Sequence, residues 1–445
     1  MSAAVRPSGP AGSFVTGNLP DFARDPLEFL EKASRDHGPV TSLRFGRTRA
    51  VLLSDPDLIE DVLVRKRDSF IKARSLQALH HLFGNGILTS EGEFWRKQRR
   101  LIQPAFHPAS MRGHAEVVVS RASRMFDGWQ TGDEMEFHSL MKELLLSIVA
   151  DSLFGAELAQ RATVLGAALE STMDRFTGRR GLARFAPDWV PLPDTRRYME
   201  GVAALDEFVT EVLAVGRRGR VERKDLLSIL LAARDENGNP MSDSQLRDEA
   251  ITLFVGGFDT PALAMSWTWY LLSKNPDCVE RLVAEVDSML GDRAPGFEDA
   301  STLSYTQCVV KESMRLFPPA WIVSREASQD TEVGGYPVPR GTTVMMSQWL
   351  AHRDERFFPD ALIFRPERWA SGNSAKLPRF AYFPFGGGPR VCIGASFAMM
   401  ETTLILAMLA QRFRFAVRDD VDIAPRATMT LRPRGGVPIV IDRRS

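Results

Sequence analysis

The chain has 445 residues, 44% hydrophobic and 25% charged, with 56 basic against 56 acidic side chains. That is ordinary globular composition, with enough apolar surface for a large core, and the zero formal charge removes any global electrostatic case for nucleic acid binding. Three cysteines, Cys278, Cys308 and Cys392, are too few for a disulfide scaffold and suit a reducing compartment.

No stretch reaches the roughly 18 apolar residues of a membrane span, so no membrane anchor is expected and a soluble, cytoplasmic protein is predicted. The start, Met1 to Pro20, is rich in Pro, Gly and Ser and has no apolar run. It predicts a flexible tail over residues 1–24 rather than a signal peptide. Asp25-Pro26 opens a helix, with Asp as N-cap and Pro at the first helical position, and Gly38 closes it. Val40 to Phe45 and Arg49 to Leu53 read as strands around Gly46-Arg47. Ser54-Asp55-Pro56 starts another helix. From about Glu91 to Lys274 helical periodicity dominates, interrupted by a Pro-rich loop from Arg179 to Asp194. Ser242-x-x-Gln245 fits a capping box. It opens a pattern running to about Lys274, roughly 45 Å at the usual helical rise. After Arg315 Pro and Gly become frequent and short strands such as Thr343 to Met346 appear. A last helix, Ile393 to Arg412, follows a glycine cluster, and Met429 to Ile441 reads as a β-hairpin around Pro433-Arg434-Gly435-Gly436. The fold class predicted is mainly α with small peripheral sheets. No linker divides residues 25–445, which predicts one domain.

The densest chemical signal is Phe385-Gly386-Gly387-Gly388-Pro389-Arg390-Val391-Cys392-Ile393-Gly394. Its glycines let backbone approach a neighbour closely. Cys392 stands at the mouth of the last helix, where N–H groups and the dipole favour a thiolate. Arg390 adds a cation two residues away, and Phe385 can shield the sulfur. Together these suit one negative sulfur on a planar cofactor. Zinc is a poor alternative, because no second Cys lies at ligand spacing.

The spacing Phe-x-x-Gly-x-Arg-x-Cys-x-Gly, filled by Phe385, Gly388, Arg390, Cys392 and Gly394, resembles the signature of the cytochrome P-450 family of haem-thiolate monooxygenases, soluble bacterial type. The resemblance extends from about Asp25 to Ile441. It implies haem b (iron protoporphyrin IX) with Cys392 as axial ligand and Arg390 on a haem propionate.

Three further motifs fall in the family's order. Gly256-Gly257-Phe258-Asp259-Thr260 sits in the middle of the longest predicted helix, where each glycine costs about 1 kcal/mol relative to Ala. Pro261 cannot donate to the Gly257 carbonyl, which predicts a locally opened helix with an acid, a hydroxyl and a free acceptor. By the resemblance, Thr260 serves oxygen activation and Asp259 relays protons. Glu312-x-x-Arg315 places both charges on one helix face. With Arg368, in Pro366-Glu367-Arg368-Trp369, the family's pattern makes them a buried structural cluster behind the cysteine loop. Trp95-x-x-x-Arg99 follows Gly84-Asn85-Gly86-Ile87 and, by the resemblance, binds a propionate, as does Arg325. An isolated His such as His352 reads as a structural hydrogen-bonder.

The resemblance also implies a pocket from spread apolar segments: Leu76, Leu79, Phe176, Leu253, Phe254, Gly257, Trp321, Ile322, Val323, Met429 and Leu431. A lipophilic substrate follows, such as a terpenoid, fatty acid, steroid or macrolide-like molecule. Arg47 and Arg49 offer a carboxylate anchor for the fatty-acid version. The expected reaction inserts one atom of O2 into a C–H bond or alkene. Electrons come from a separate redox partner, a ferredoxin or flavodoxin with its reductase, and the basic run Arg96, Lys97, Arg99, Arg100 is a candidate docking patch. The rivals are a peroxygenase or isomerase of the same family and a non-catalytic haem protein that only binds ligands.

Overall fold

A carboxylate at a helix start accepts the N–H groups that the first turn leaves unpaired. Asp25 does this for Leu27 and Glu28, at 3.0 and 3.1 Å, and the helix runs Pro26–His37 to Gly38, whose φ is +87°. The computed structural model describes residues 6–155, 161, 193–218, 225–370, 372, 376–418, 421 and 423–444. Among them the longer helices, in chain order, are α1 (Pro26–His37), α2 (Gly92–Ile102), α3 (Pro108–Asp127), α4 (Phe137–Phe154), α5 (Pro193–Arg218), α6 (Asp243–Ser273), α7 (Pro276–Leu290), α8 (Ser304–Leu316) and α9 (Ala395–Arg412). The expected loop at residues 179–192 lies outside the described residues, while Pro193 and Asp194 already belong to α5. The chain divides into two compact units. Unit 1 takes the described residues of 1–78, 307–395 and 425–432, and unit 2 those of 79–306, 396–424 and 433–445.

Unit 1 is built on a five-stranded sheet. Its strands are β1 (Val40–Phe45), β2 (Thr48–Leu53), β3 (Phe70–Lys72), β4 (Val323–Ala327) and β5 (Thr343–Met346), in the order β1-β2-β5-β4-β3. Val40 faces Leu53 across the antiparallel β1–β2 pair, and Ala50 faces Thr343 across the parallel β2–β5 pair. Successive side chains of a strand point to opposite faces. Val51, Leu53, Val344 and Met346 accordingly enter a core with Ile59, Leu63, Phe380 and Phe383. Ala50, Leu52 and Met345 enter a second core with Leu27, Leu30, Trp321 and Trp349. Both faces are thus covered, and one of them grips the segment that leads to Cys392.

The N-terminal stretch departs from the flexible tail expected. Residues 6–18 are laid along β1: Ser42 N–H donates to the Ser8 carbonyl at 2.8 Å, Asn18 N–H to Arg44 at 2.7 Å, and Gly46 N–H to Thr16 at 2.9 Å. The unpaired edge of β1 supplies partners that a sequence pattern does not reveal.

In unit 2, Ser242 and Gln245 form the capping box at the head of α6, and the helix ends at Ser273. α6 is buried along almost its whole length. From Glu249 to Trp269 only Leu253, Gly256, Gly257 and Thr260 are not buried. Their spacing of three, four and seven residues puts them on one face. The helix stays continuous through Pro261 rather than opening, and the Thr260 hydroxyl turns back onto the Gly256 carbonyl at 3.0 Å. Gly257 has a packing reason: a Cβ there would stand 2.6 Å from Cγ2 of Val149 on α4. The expected C-terminal hairpin does not form. Leu431–Pro433 pairs with Pro425–Ala427, whereas Pro438–Val440 pairs with Glu134–Glu136. Gly435 and Gly436 turn the chain between two separate sheets. No helix among the described residues is long and apolar enough to cross a membrane.

The Val149–Gly257 contact predicts that Gly257→Val overpacks the α4–α6 seam and lowers stability by about 1–3 kcal/mol. Adding Val149→Ala should return most of the lost melting temperature. A single variant as stable as the parent would mean that the seam has room to spare.

Candidate active site

Cys392 sits in a loop fixed by backbone contacts on every side. Its N–H donates to the Phe385 carbonyl at 3.0 Å, closing the loop on itself, and the Val391 N–H donates to Gly388 at 3.1 Å. Two glycines are required by space. A Cβ at Gly387 would stand 2.2 Å from the Phe380 ring, and one at Gly388 would stand 2.0 Å from the Leu63 carbonyl oxygen. Gly388 also has φ +67°, which L side chains rarely adopt. Arg390 anchors the loop to the sheet by donating to the Phe70 carbonyl at 3.0 Å. Of the three cysteines, Cys392 is the exposed one, while Cys308 is buried and Cys278 half-buried. Phe385 and Gly394 flank it, both half-buried. α9 begins three residues later, so the thiol stands near the positive end of a helix.

Next in unit 1 is a buried ionic cluster. Glu312 and Arg315, one turn apart on α8, both have side chains at 0% exposure and pair at 2.8 Å. Arg315 gives Nε and one Nη2 proton to Glu312 at 2.9 and 2.8 Å, and the other Nη2 proton to the Ile363 carbonyl at 3.2 Å. Its Nη1 donates to the carbonyls of His352 and Ala361, at 2.8 and 2.6 Å. Glu312 also accepts from the Arg365 N–H, Arg368 Nε and Trp369 Nε1, at 3.0, 3.2 and 2.8 Å. The structure therefore brings Glu312, Arg315 and Arg368 together. His352, fully buried, accepts the Phe383 N–H on Nε2 at 2.9 Å. Burial, then the Arg315 and Arg353 cations, push its pKa down to about 3, so the imidazole is neutral at ordinary pH.

Arg325 is buried on β4, opposite Lys72 of β3. In unit 2, Trp95 is buried on α2 and Arg99 half-buried on the same helix. Asp259 is buried and Thr260 half-buried on α6. The glycines before Trp95 dock on α6, and the sequence reading missed what receives them. Asp248 accepts the Asn85 N–H at 2.7 Å, and Glu249 accepts the Ile87 N–H at 2.9 Å. A Cβ at Gly84 would meet Asp248 at 2.0 Å, and one at Gly86 would meet Thr252 at 2.4 Å. The Gly-Asn-Gly spacing was the available signal. Of the basic run on α2, Arg96 pairs with Glu93, Lys97 with Asp235 at 2.6 Å, and Arg100 with Glu236 at 3.5 Å. The Lys97 hydrogen bond leads in holding the Asp235 carboxyl down to about 2.

The expected pocket residues separate into two groups. Phe254 is core, 1% exposed between the rings of Phe154 and Phe258. Trp321 and Leu431 are also core, with the Trp321 indole N–H on the Thr428 carbonyl at 3.0 Å. Leu79 is buried too. Leu76, Leu253, Gly257, Ile322 and Val323 are half-buried, and Met429 is 39% exposed. Phe176 lies outside the described residues.

The family pattern of cytochrome P-450 matches residues 7–437. The chain belongs to that family and is a P-450 monooxygenase. It is 35% identical over 429 residues to a protein named cyclooctatin synthase from Streptomyces melanosporofaciens, covering 95% of this chain and 92% of that one. It is 34% identical over 410 residues to a cyclooctat-9-en-7-ol 5-monooxygenase of the same organism, covering 92% and 89%. A pentalenene oxygenase from Streptomyces avermitilis is 32% identical over 436 residues, covering 96% and 95%. The structure of a retinoic-acid-bound cyanobacterial CYP120A1 matches with a TM-score of 0.90 at 24% identity, covering 100% of both chains. That likeness shows the fold alone. The family carries haem on a cysteine thiolate, and the donor set here fits. One exposed sulfur suits a metal that brings its own four ring nitrogens, and Arg325 and Arg390, in the same unit, suit its carboxylates.

Arg315→Ala should strip Glu312 of its main partner and cost about 3–5 kcal/mol, because a buried charge is left uncompensated. Urea unfolding with haem content measured alongside checks this. A stable, fully haem-loaded variant would show that the remaining donors suffice.

Proposed function

We propose that this monooxygenase hydroxylates or epoxidises a terpenoid hydrocarbon or a lightly oxidised derivative, with Cys392 as the haem ligand. What carries the reading is the fixed loop that presents the one exposed cysteine of the chain. The bound haem would supply the activation of O2. The residues of the chain supply the rest. Cys392 gives the thiolate, held near a helix N-terminus. Arg390, Arg325, Trp95 and Arg99 bind the propionates. Thr260, on the open face of α6, donates or accepts one hydrogen bond where oxygen is activated, and the buried Asp259 beside it passes protons inward. Leu253, Gly256 and Gly257 make that open face apolar and low in relief, which suits a rigid hydrocarbon skeleton.

The substrate class rests on the relatives. Two are named for cyclooctatin chemistry and one for pentalenene. Arg47 is exposed on the β1–β2 turn and Arg49 is exposed near the start of β2, which gives a fatty-acid carboxylate no enclosed anchor. Three cysteines outside any disulfide fit the cytoplasm, and a separate ferredoxin or flavodoxin would deliver the electrons.

Optical titration of the ferric protein with cyclic terpenes, fatty acids and steroids tests the substrate. A terpene should shift the Soret band toward high spin at the lowest concentration. A shift confined to fatty acids would overturn the terpenoid assignment. Cys392→Ser should abolish the thiolate-type spectrum of the ferrous CO complex, and an unchanged spectrum would remove Cys392 as ligand. With a ferredoxin system, Thr260→Ala should raise hydrogen peroxide release per NADH by about tenfold at the expense of product, in line with one lost positioned hydrogen-bonding hydroxyl. Unchanged coupling would take Thr260 out of the chemistry.

A further inference from the structure

Between the buried ionic cluster and the cysteine loop runs a chain of single hydrogen bonds, and its middle link is one imidazole. The Arg315 Nη1 donates to the His352 carbonyl at 2.8 Å, and the His352 N–H donates to Gln348 at 2.9 Å. The backbone of His352 is therefore pinned on both sides. Its ring lies against Tyr382, centroids 4.9 Å apart and planes at 37°, and meets Phe383 edge-on at 5.5 Å. Tyr382 is itself held, its hydroxyl donating to the Lys311 carbonyl at 3.0 Å. Nε2 of His352 takes the Phe383 N–H at 2.9 Å. From there the Phe383 carbonyl accepts Gly386 N–H at 2.9 Å, and the Phe385 carbonyl accepts Cys392 N–H at 3.0 Å.

We infer that His352 is a positioning residue for Cys392: its imidazole nitrogen is the acceptor that hangs the backbone of the cysteine loop on the Glu312–Arg315 cluster. An ammonium there would not serve, because it has no lone pair. Phe383 N–H is a donor in a buried site, and it needs an acceptor lone pair within its reach. The neutrality of the ring at ordinary pH leaves that lone pair available. If Phe383 slackens, Gly386 and Phe385 follow, and the sulfur loses its fixed direction. The role rests on Cys392 being the haem ligand, but the acceptor bond itself does not.

Two variants separate acceptance from space-filling. His352→Phe keeps a flat ring against Tyr382 and removes the acceptor. His352→Gln keeps an acceptor oxygen and removes the ring. Hydrogen exchange of the holo-protein, read at Phe383 and at Arg315, reports the bond. In His352→Phe, exchange at Phe383 should quicken about tenfold, the scale expected for an abandoned buried donor, while α8 stays protected. The ferrous CO complex should then lose its thiolate-type band on standing several-fold faster than the parent. His352→Gln should stay within about twofold of the parent in both readings.

Parent-like behaviour of His352→Phe overturns the inference. So does a His352→Gln variant as impaired as His352→Phe, because the ring and not the acceptor would then matter. If His352→Phe does not fold, His352→Gln decides alone: a parent-like variant supports the acceptor role and an unstable thiolate band refutes it. A parent with no thiolate band at all would instead sink the haem-ligand reading, while exchange at Phe383 would still report on the bond.

Discussion

A carboxylate and a guanidinium cannot lie at zero exposure unless nearly every lone pair and N–H between them is met, because the loss of water around each ion costs several kcal/mol. Arg315 has five N–H groups, and each finds an acceptor. Only two of those bonds go to Glu312. The others need backbone carbonyls at His352, Ala361 and Ile363, so a stretch with little regular secondary structure is forced into one path around a single side chain. Glu312 makes a matching demand on Arg365, Arg368 and Trp369. A mostly irregular segment, with one short 3-10 turn at Pro366–Trp369, thereby acquires a fixed shape. Phe380 and Phe383 then carry that fixity into the sheet core, and the cysteine loop starts from a base that is held on two sides.

α6 answers a different constraint with the same economy. A helix buried nearly all round cannot also present a reactive face unless that face is kept free of bulk. Two adjacent glycines do this at Gly256 and Gly257, although such a pair is costly in a helix. A Cβ at Gly257 would also collide with Val149 of α4, so the glycine that opens one side lets the neighbouring helix pack on the other. Thr260 closes the stripe. Its hydroxyl proton is satisfied within the helix by the Gly256 carbonyl, which leaves the oxygen lone pairs facing outward. Pro261 costs one backbone bond without breaking the helix, because burial on the surrounding faces holds the turn in place.

The legible part of this chain was local. Asp25, Gly38, Ser242 and Gln245 marked their helix ends because caps are short-range chemistry, and the strands Val40–Phe45 and Thr343–Met346 showed in period and composition. The illegible part was partner choice at a distance. Residues 6–18 hold no pattern of their own, yet they take the free edge of β1. The residues around Pro433–Gly436 look like a hairpin, yet each flanking strand finds an earlier partner in another sheet. Apolar residues near the expected pocket could not be divided in advance, since Phe254 and Leu253 are neighbours of similar hydropathy, about 100° apart around one helix, of which only Phe254 is buried. Carbonyl acceptors are the deepest case: Leu63, Ala361 and Ile363 matter through an oxygen that every residue carries.

The charges on α2 show why a basic run alone says little about docking. Arg96, Lys97 and Arg100 are each answered within unit 2, by Glu93, Asp235 and Glu236. Arg100 and Glu236 are both well exposed, and such pairs exchange partners with water and salt at small net cost. An incoming carboxylate would replace one anion by another, and the balance would turn on geometry rather than on gross attraction. Lys97 differs. Asp235 also accepts the Asn237 and Asn239 N–H groups at 2.9 and 2.8 Å, so its carboxylate is held in a turn and cannot follow the lysine away. A donor protein that recruits Lys97 must therefore outcompete a fixed acid. Arg96 and Arg100, whose ion pairs are with well-exposed acids, are the cheaper contacts. The specificity of such a surface would lie in which pairs yield, which net charge does not report.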